Sequence, residues 1–452
     1  MGEQLDQIRR RALVGAVVTV SAALALTGCA FRPPAPIPQP TPAPATSTAP
    51  PTMPATPDVT PSPTPVPLPD PAVLAKILDK VPRKDLGVTG VFVANTDGVQ
   101  LYANTDKPLQ PASTMKVLTT MMAADVLGPD TTFDTKVVEV RPGTIALVGG
   151  GDPFLVTAHR NSGLWRASLE DLAKATAAAL KGRKSVKLVY DASLFSGPGW
   201  GANWRESWKK TMTRIGALTV DRGKLSKWVP APDPAKAAAE AFVKQLKAAK
   251  VSVTSVKAGK APKDGAVLAK ATSAPVSTMI IWTLRNSYNL GAEVLARHAG
   301  LVHVGTGSFD AGSETIRWWL KGHGLWDADS IIDGGSGLSL TARVTPAMLA
   351  KAVGRAFDGE QYAAVLQGLP IAGVSGTLKG RFNDKNEAAG RNVVHAKTGA
   401  LNNVSTLAGY VVDKDGAILV FAALANKTNG HDAAAQNWLD RTAALLATCG
   451  CR

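Results

Sequence analysis

Pro111-Ala112-Ser113-Thr114-Met115-Lys116 opens a stretch with apolar residues at Met115, Leu118, Met121 and Met122. That spacing predicts a helix with one buried face, on which positions i and i+3 lie one turn apart on the same side. Ser113 Oγ and Lys116 Nζ are thereby brought within reach of each other. A lysine desolvated at the base of a cleft loses its proton more easily and accepts one from a serine, which gives a nucleophile that needs no histidine. Ser-x-x-Lys alone is a weak signal, because Ser207 and Lys210 repeat it.

Two further triplets follow in the chain. Ser287-Tyr288-Asn289 stands just before Leu290-Gly291-Ala292-Glu293-Val294-Leu295, which reads as a helix. A short loop entering a helix points a hydroxyl and an amide into a cleft, one to relay a proton and the other to orient a substrate. Lys397-Thr398-Gly399 ends the predicted strand Asn392-Val393-Val394-His395-Ala396. A second strand from Val404 to Val412, the turn Asp413-Lys414-Asp415-Gly416 and a third strand to Ala425 build an antiparallel meander beside it. Gly399 is expected to let a peptide backbone approach the strand and pair with it. The chain has no His-Glu-x-x-His, no Walker phosphate loop, no G-x-G-x-x-G after a strand and no G-x-S-x-G elbow. Its six histidines are scattered, and His395 reads as a strand residue rather than a base.

In this order the three triplets resemble Ser-x-x-Lys, Ser-Asp-Asn and Lys-Thr-Gly, the signature of class A β-lactamases and penicillin-binding proteins. Leu147-Val148-Gly149-Gly150-Gly151-Asp152-Pro153, Asn286 to Arg297, Asp333-Gly334-Gly335-Ser336-Gly337-Leu338-Ser339 and Asn403 to Tyr410 resemble the low-molecular-mass class C penicillin-binding proteins, the D-alanyl-D-alanine carboxypeptidase/endopeptidases. The resemblance covers most of Pro71 to Leu446, and the 174 residues between Ser113 and Ser287 match this family's large insertion. It implies an α/β (α+β) fold with a transpeptidase-like domain, an antiparallel sheet flanked by helices, from residues 71–130 and 271–452. Residues 131–270 would form a shortened inserted domain that lacks a second small β-rich unit. It further implies Ser113 as nucleophile, Lys116 as its base, Ser287 as proton relay, Asn289 on the substrate amide, and Lys397 and Thr398 on the terminal D-Ala carboxylate. Gly399 and Ala400 would complete the substrate strand, with the Ser113 and Ala400 N–H groups at the oxyanion. Ala400 stands where the family commonly has Thr or Ser, so one hydroxyl contact is lost. Peptidoglycan stem peptides are the implied substrates and β-lactams the implied inhibitors, with no metal or cofactor required. A β-lactamase or esterase on the same scaffold is the second enzyme reading, with Glu293 as the only nearby acid to nominate for deacylation.

Outward from this core, the N-terminus reads as an export address. Arg9-Arg10-Arg11, the apolar run Ala12 to Thr27 and Gly28-Cys29 fit a signal peptide over residues 1–28. Leu26-Thr27-Gly28-Cys29 resembles the lipobox of bacterial lipoproteins, which implies acylation of Cys29; an ordinary signal peptide with an incidental cysteine is the alternative. Sixteen of the 31 prolines lie between Phe31 and Asp70, so residues 29–70 read as an extended tether. At about 3.1 Å per residue in polyproline II it reaches on the order of 120 Å, a spacer between membrane surface and wall. The expected location is the outer face of the cytoplasmic membrane.

The rest of the composition excludes more than it assigns. With 45% hydrophobic and 19% charged residues, a wholly disordered protein is excluded, and three cysteines exclude a disulfide-stapled mini-protein. Net charge is +15, and residues 201–270 carry fifteen Lys or Arg against five Asp or Glu. For an exported protein nucleic acid is a poor partner; anionic wall polymers, lipid head groups or simply a solvated lysine-rich helix near Pro234 to Lys250 fit this segment. The i, i+4, i+8 spacing of Trp200, Trp204 and Trp208 predicts a buried helix face, with a wall-binding strip as the non-enzymatic alternative. Cys449 and Cys451 form either a local disulfide or two free thiols.

Overall fold

The computed structural model describes residues 66–159, 166–226 and 229–450. Cys29, most of the proline-rich tract and Cys451 lie outside the described residues; Cys449 is buried and disulfide-bonded.

Strands β1 (Val88–Ala94), β2 (Gln100–Ala103), β8 (Val394–Leu401), β9 (Val404–Val412) and β10 (Ile418–Asn426) form a five-stranded sheet in the order β2-β1-β10-β9-β8, antiparallel throughout. The meander of β8, β9 and β10 follows the sequence reading. Its closure by β1 pairs Val88 with Asn426 across most of the chain. Alternation along β10 explains why it runs as an unbroken apolar segment. Val420, Ala422 and Leu424 pack into one core, with Met115, Leu118 and Met121 from the helix Met115–Leu127 and with the helices Val276–Arg285 and Pro346–Gly354. Leu419, Phe421, Ala423 and Ala425 face the other core, under the helices Pro71–Leu78 and Asp432–Thr448. A central strand buried on both faces has no polar side to show.

The second sheet comes wholly from residues 134–272: β3 (Asp134–Arg141), β4 (Thr144–Val148), β5 (Ser185–Asp191), β6 (Ser252–Ala258) and β7 (Val267–Thr272), in the order β6-β5-β4-β3-β7. It is mixed. The pairs β4–β5 and β5–β6 are parallel, which demands crossovers, and the helices Leu169–Ala179 and Pro234–Ala248 supply them. On Pro234–Ala248 the apolar residues Ala238, Ala239, Phe242 and Leu246 are buried against this sheet while Lys236, Lys244 and Lys247 stand exposed. Between β5 and that helix the described residues form only short 3-10 turns, at Glu206–Lys210 and Asp221–Gly223.

The tryptophan spacing misleads at this point. Trp200, Trp204 and Trp208 lie not on one helix but on a loop and a 3-10 turn, where the first two are buried edge to face, 5.1 Å apart, beside Ile215, Leu290, Val294 and Leu338. Nearby glycines and prolines break the helix that the period suggests.

Local chemistry sets the helix starts. Asp70, Asp233 and Thr345 each accept a backbone N–H of the first turn, and each is followed by proline, whose fixed φ and missing N–H suit that position. The C-terminal helix is locked by a buried fork. Arg381 Nε and Nη2 donate to Asp440 Oδ2 and Oδ1 at 3.0 and 2.5 Å. Removing one partner of such a pair leaves an uncompensated charge, so Arg381→Met should lower unfolding stability by about 3–5 kcal/mol, and Asp440→Leu in the same chain should restore most of it. Urea unfolding checks this; a loss below about 1 kcal/mol for the single variant contradicts it.

Candidate active site

Ser113 does not sit on the α-helix itself. It occupies a 3-10 turn, Ala112–Thr114, that runs directly into the helix Met115–Leu127. The turn is held from several sides. Pro111 O accepts from Thr114 Oγ1 at 2.6 Å and from Thr406 Oγ1 of β9 at 2.8 Å, and Ala112 adopts φ 46. Gly337 is left-handed, φ +79, and a Cβ there would lie 1.7 Å from Ala112 O, so the loop Asp333–Gly337 passes too close for any side chain. Gly399 has the same reason to be glycine. A Cβ there would lie 2.1 Å from Thr406 Oγ1 and 2.9 Å from Ser113 N. The glycine of Lys-Thr-Gly is therefore required by the protein's own nucleophile turn, whatever a substrate backbone asks of it.

Lys116 is fully buried, and three oxygens surround its amine. Nζ lies 2.8 Å from Ser113 Oγ, 2.8 Å from Asn289 Oδ1 and 2.6 Å from the Ser336 carbonyl. Burial pushes its pKa down to about 7, against an opposing pull from the Glu293 carboxylate. A group poised there carries a proton to and from a hydroxyl near neutral pH. Asn289 is the first residue of the helix Asn289–His303, and with Oδ1 engaged by Lys116 its Nδ2 has no acceptor among the described residues. Ser287 is half-buried and left-handed, φ 54, an uncommon state for a residue with a Cβ. Its hydroxyl makes no direct hydrogen bond to Lys116 or Ser113.

Lys397 on β8 is also fully buried, and its Nζ donates to the Thr398 carbonyl at 2.6 Å. Burial, then the like charges of Lys116 and Arg381, hold its pKa well below the ordinary lysine range. An incoming carboxylate would supply the missing counter-charge. Thr398 Oγ1 lies 2.7 Å from Thr377 Oγ1, a partner with no sequence motif to announce it. Ala400 is exposed at the end of the triplet. His395 pairs with Tyr410 in the sheet and stacks on its ring at 4.8 Å, away from any base role.

The Gly149–Pro153 loop is tied to the helix of Asn289 and the residue before it. Tyr288 OH donates to Pro153 O at 3.0 Å, and His298 Nε2 lies 3.1 Å from Gly151 O. Burial holds His298 neutral, lowering its pKa to about 4. Asp152 Oδ1 accepts from Phe154 N at 2.8 Å, and burial raises the carboxyl pKa to about 7.

Glu293 departs from the sequence reading. Its carboxylate is buried and accepts from Ser336 N at 2.8 Å and Gly335 N at 3.1 Å, so it is committed to a loop rather than free to activate water. Each oxygen accepts one backbone N–H.

Serine, two desolvated amines and a free amide together suit acyl transfer to a carbonyl next to a carboxylate. The comparisons agree. The model of the D-Ala-D-Ala carboxypeptidase 3 (S13) family matches residues 71–229 and 208–448. A carboxypeptidase DacB of Mycolicibacterium smegmatis is 31% identical over 81% of this chain and 82% of its own length. A D-alanyl-D-alanine carboxypeptidase of Actinomadura sp. is 28% identical over 77% and 79%. Penicillin binding protein 4 (dacB) of Haemophilus influenzae shares the fold, with a TM-score of 0.68 at 23% identity over 81% of this chain and 97% of that one, and has also been solved complexed with a β-lactam. On the order of its three motifs, the geometry that joins them and a family match spanning the described fold, the chain belongs to the D-Ala-D-Ala carboxypeptidase 3 (S13) family of serine peptidases.

Proposed function

We propose that Ser113 removes the terminal D-alanine of peptidoglycan stem peptides through an acyl-enzyme. The observation that carries this reading is the 2.8 Å approach of Ser113 Oγ to a lysine whose pKa burial has brought to about 7. Lys116 takes the Oγ proton as Oγ attacks the D-Ala-D-Ala carbonyl. The Ser113 and Ala400 N–H groups hold the oxyanion, each donor contributing about 3 kcal/mol at the transition state. The C–N bond then breaks, and the departing amine receives the proton from Lys116 through the Ser287 hydroxyl. Asn289 Nδ2 binds the substrate amide, while Lys397 and Thr398 bind the C-terminal carboxylate, which selects a chain end. Water hydrolyses the ester and returns Ser113. Cross-link cleavage uses the same acyl donor with a different leaving amine, and cross-linked muropeptides test it separately.

A penicillin mimics the dipeptide and acylates Ser113. With both Glu293 oxygens engaged by backbone N–H groups, rapid deacylation has no base at that position, which favours a long-lived adduct over a β-lactamase. Intact mass after incubation with penicillin should show one adduct, absent in Ser113→Ala, and the acylation rate should fall as pH drops below about 7, where Lys116 becomes protonated. An unmodified protein, or a rate independent of pH from 5 to 9, would sink the proposal.

We further propose that Cys29 is acylated and that residues 29–70 tether the enzyme to the outer face of the membrane, with support from the Leu26-Thr27-Gly28-Cys29 sequence and the proline content alone. Cells fed a clickable fatty acid should label wild-type protein and not Cys29→Ala; equal labelling of both contradicts the anchor.

A further inference from the structure

A neutral lysine amine has two N–H bonds and one lone pair. For the lone pair to face Ser113 Oγ, both N–H bonds need other acceptors, and the two remaining oxygens around Lys116 are Asn289 Oδ1 at 2.8 Å and Ser336 O at 2.6 Å. The first belongs to a side chain on a long helix. The second is a backbone carbonyl in the loop Asp333-Gly334-Gly335-Ser336-Gly337, where Gly334 and Gly337 are both left-handed, at φ 78 and 79. A loop with that much glycine does not hold a carbonyl in place by its own stiffness.

What holds it is a carboxylate on the helix of Asn289. Glu293, one turn further along and buried, clasps the Gly335 and Ser336 N–H groups at 3.1 and 2.8 Å. Thr119 Oγ1, from the helix that carries Lys116, donates to the Gly335 carbonyl at 2.7 Å. We propose that Glu293 is the positioning residue of acylation: by fixing the Ser336 carbonyl it aims the Lys116 lone pair at Ser113. Its negative charge also bears on the pH dependence of that step. This rests on the reading of Ser113 and Lys116 as nucleophile and base.

The charged groups around this pair assign the sign. Glu293 pulls the Lys116 pKa upward, and the Lys116 charge in turn lowers that of Lys397. Arg297, one turn after Glu293, carries its own buried charge and pairs with the carbonyls of Ser196, Pro198 and Gly307. Removing the anion and leaving the cations makes Lys116 lose its proton at lower pH. Glu293→Gln keeps the shape but turns an amide N–H₂ toward one of the two backbone donors, so one clasp is lost. Thr119→Val removes the other support without altering any charge.

The test is the rate of acylation of the full-length purified chain by a fluorescent penicillin, followed from pH 5 to 9, with circular dichroism as the check on folding. Glu293→Gln should lower the plateau rate by about tenfold or more, the scale expected for a misplaced base, and shift the acid limb to lower pH. Thr119→Val should lower the plateau with the limb unmoved. A folded Glu293→Gln with the wild-type plateau, or with a lowered plateau and an unmoved limb, overturns the proposal. Should Glu293→Gln fail to fold, Thr119→Val acylating at the wild-type rate overturns it instead. Failure of the underlying reading is separately visible, as wild-type protein that takes no label or Ser113→Ala that does.

Discussion

The site depends on one buried amine. An ammonium taken out of water costs several kcal/mol even after the protein relaxes around it, and Lys116 is fully buried. Two responses are open to a folded chain, to surround the charge or to make it easy to lose. Both operate at Lys116. Its acceptors come from the 3-10 turn of Ser113, the helix of Asn289 and the loop of Ser336, the last of them 220 residues from Lys116 in sequence. The base is therefore assembled only when the five-stranded sheet and its helical layer have closed, and catalytic competence is tied to tertiary structure rather than to the Ser-x-x-Lys segment.

The second buried lysine makes sense against the first. Lys397 sits on the strand that packs against the Ser113 turn, and a charge on Lys116 raises the cost of charging it. A substrate bearing a C-terminal carboxylate relieves that repulsion; one without it does not. Under the proposed function, discrimination in favour of chain ends follows from this repulsion.

How much of this the sequence discloses depends on the range over which each feature is encoded. Ser113 with Lys116, and Asn289 at a helix start, are short-range patterns that side-chain identity and helix geometry announce. The β8–β9–β10 meander is equally local, each strand bounded by turn residues. The pairing of β1 with β10 is not, because nothing in either segment names a partner more than three hundred residues away. The Ser336 carbonyl escapes for a different reason: a backbone oxygen in a glycine-rich loop has no side-chain signature. Glu293 is legible as an acid near Ser287 but not as one tied to the backbone of a loop more than forty residues on. Trp200, Trp204 and Trp208 show a helical period without a helix, since burial in a loop core imposes no period and three residues match one by accident.

The proposed chemistry requires Lys116 to stand neutral near physiological pH while buried beside Ser113. Its titration can be observed directly, by following the ¹³Cε resonance of Lys116 in protein carrying ¹³C-labelled lysine, with Lys116→Arg to assign the peak. The account predicts a midpoint near 7, where burial outweighs the pull of Glu293. A lysine that keeps its proton up to the ordinary range of about 10.4 would contradict it, leaving Ser113 without a base.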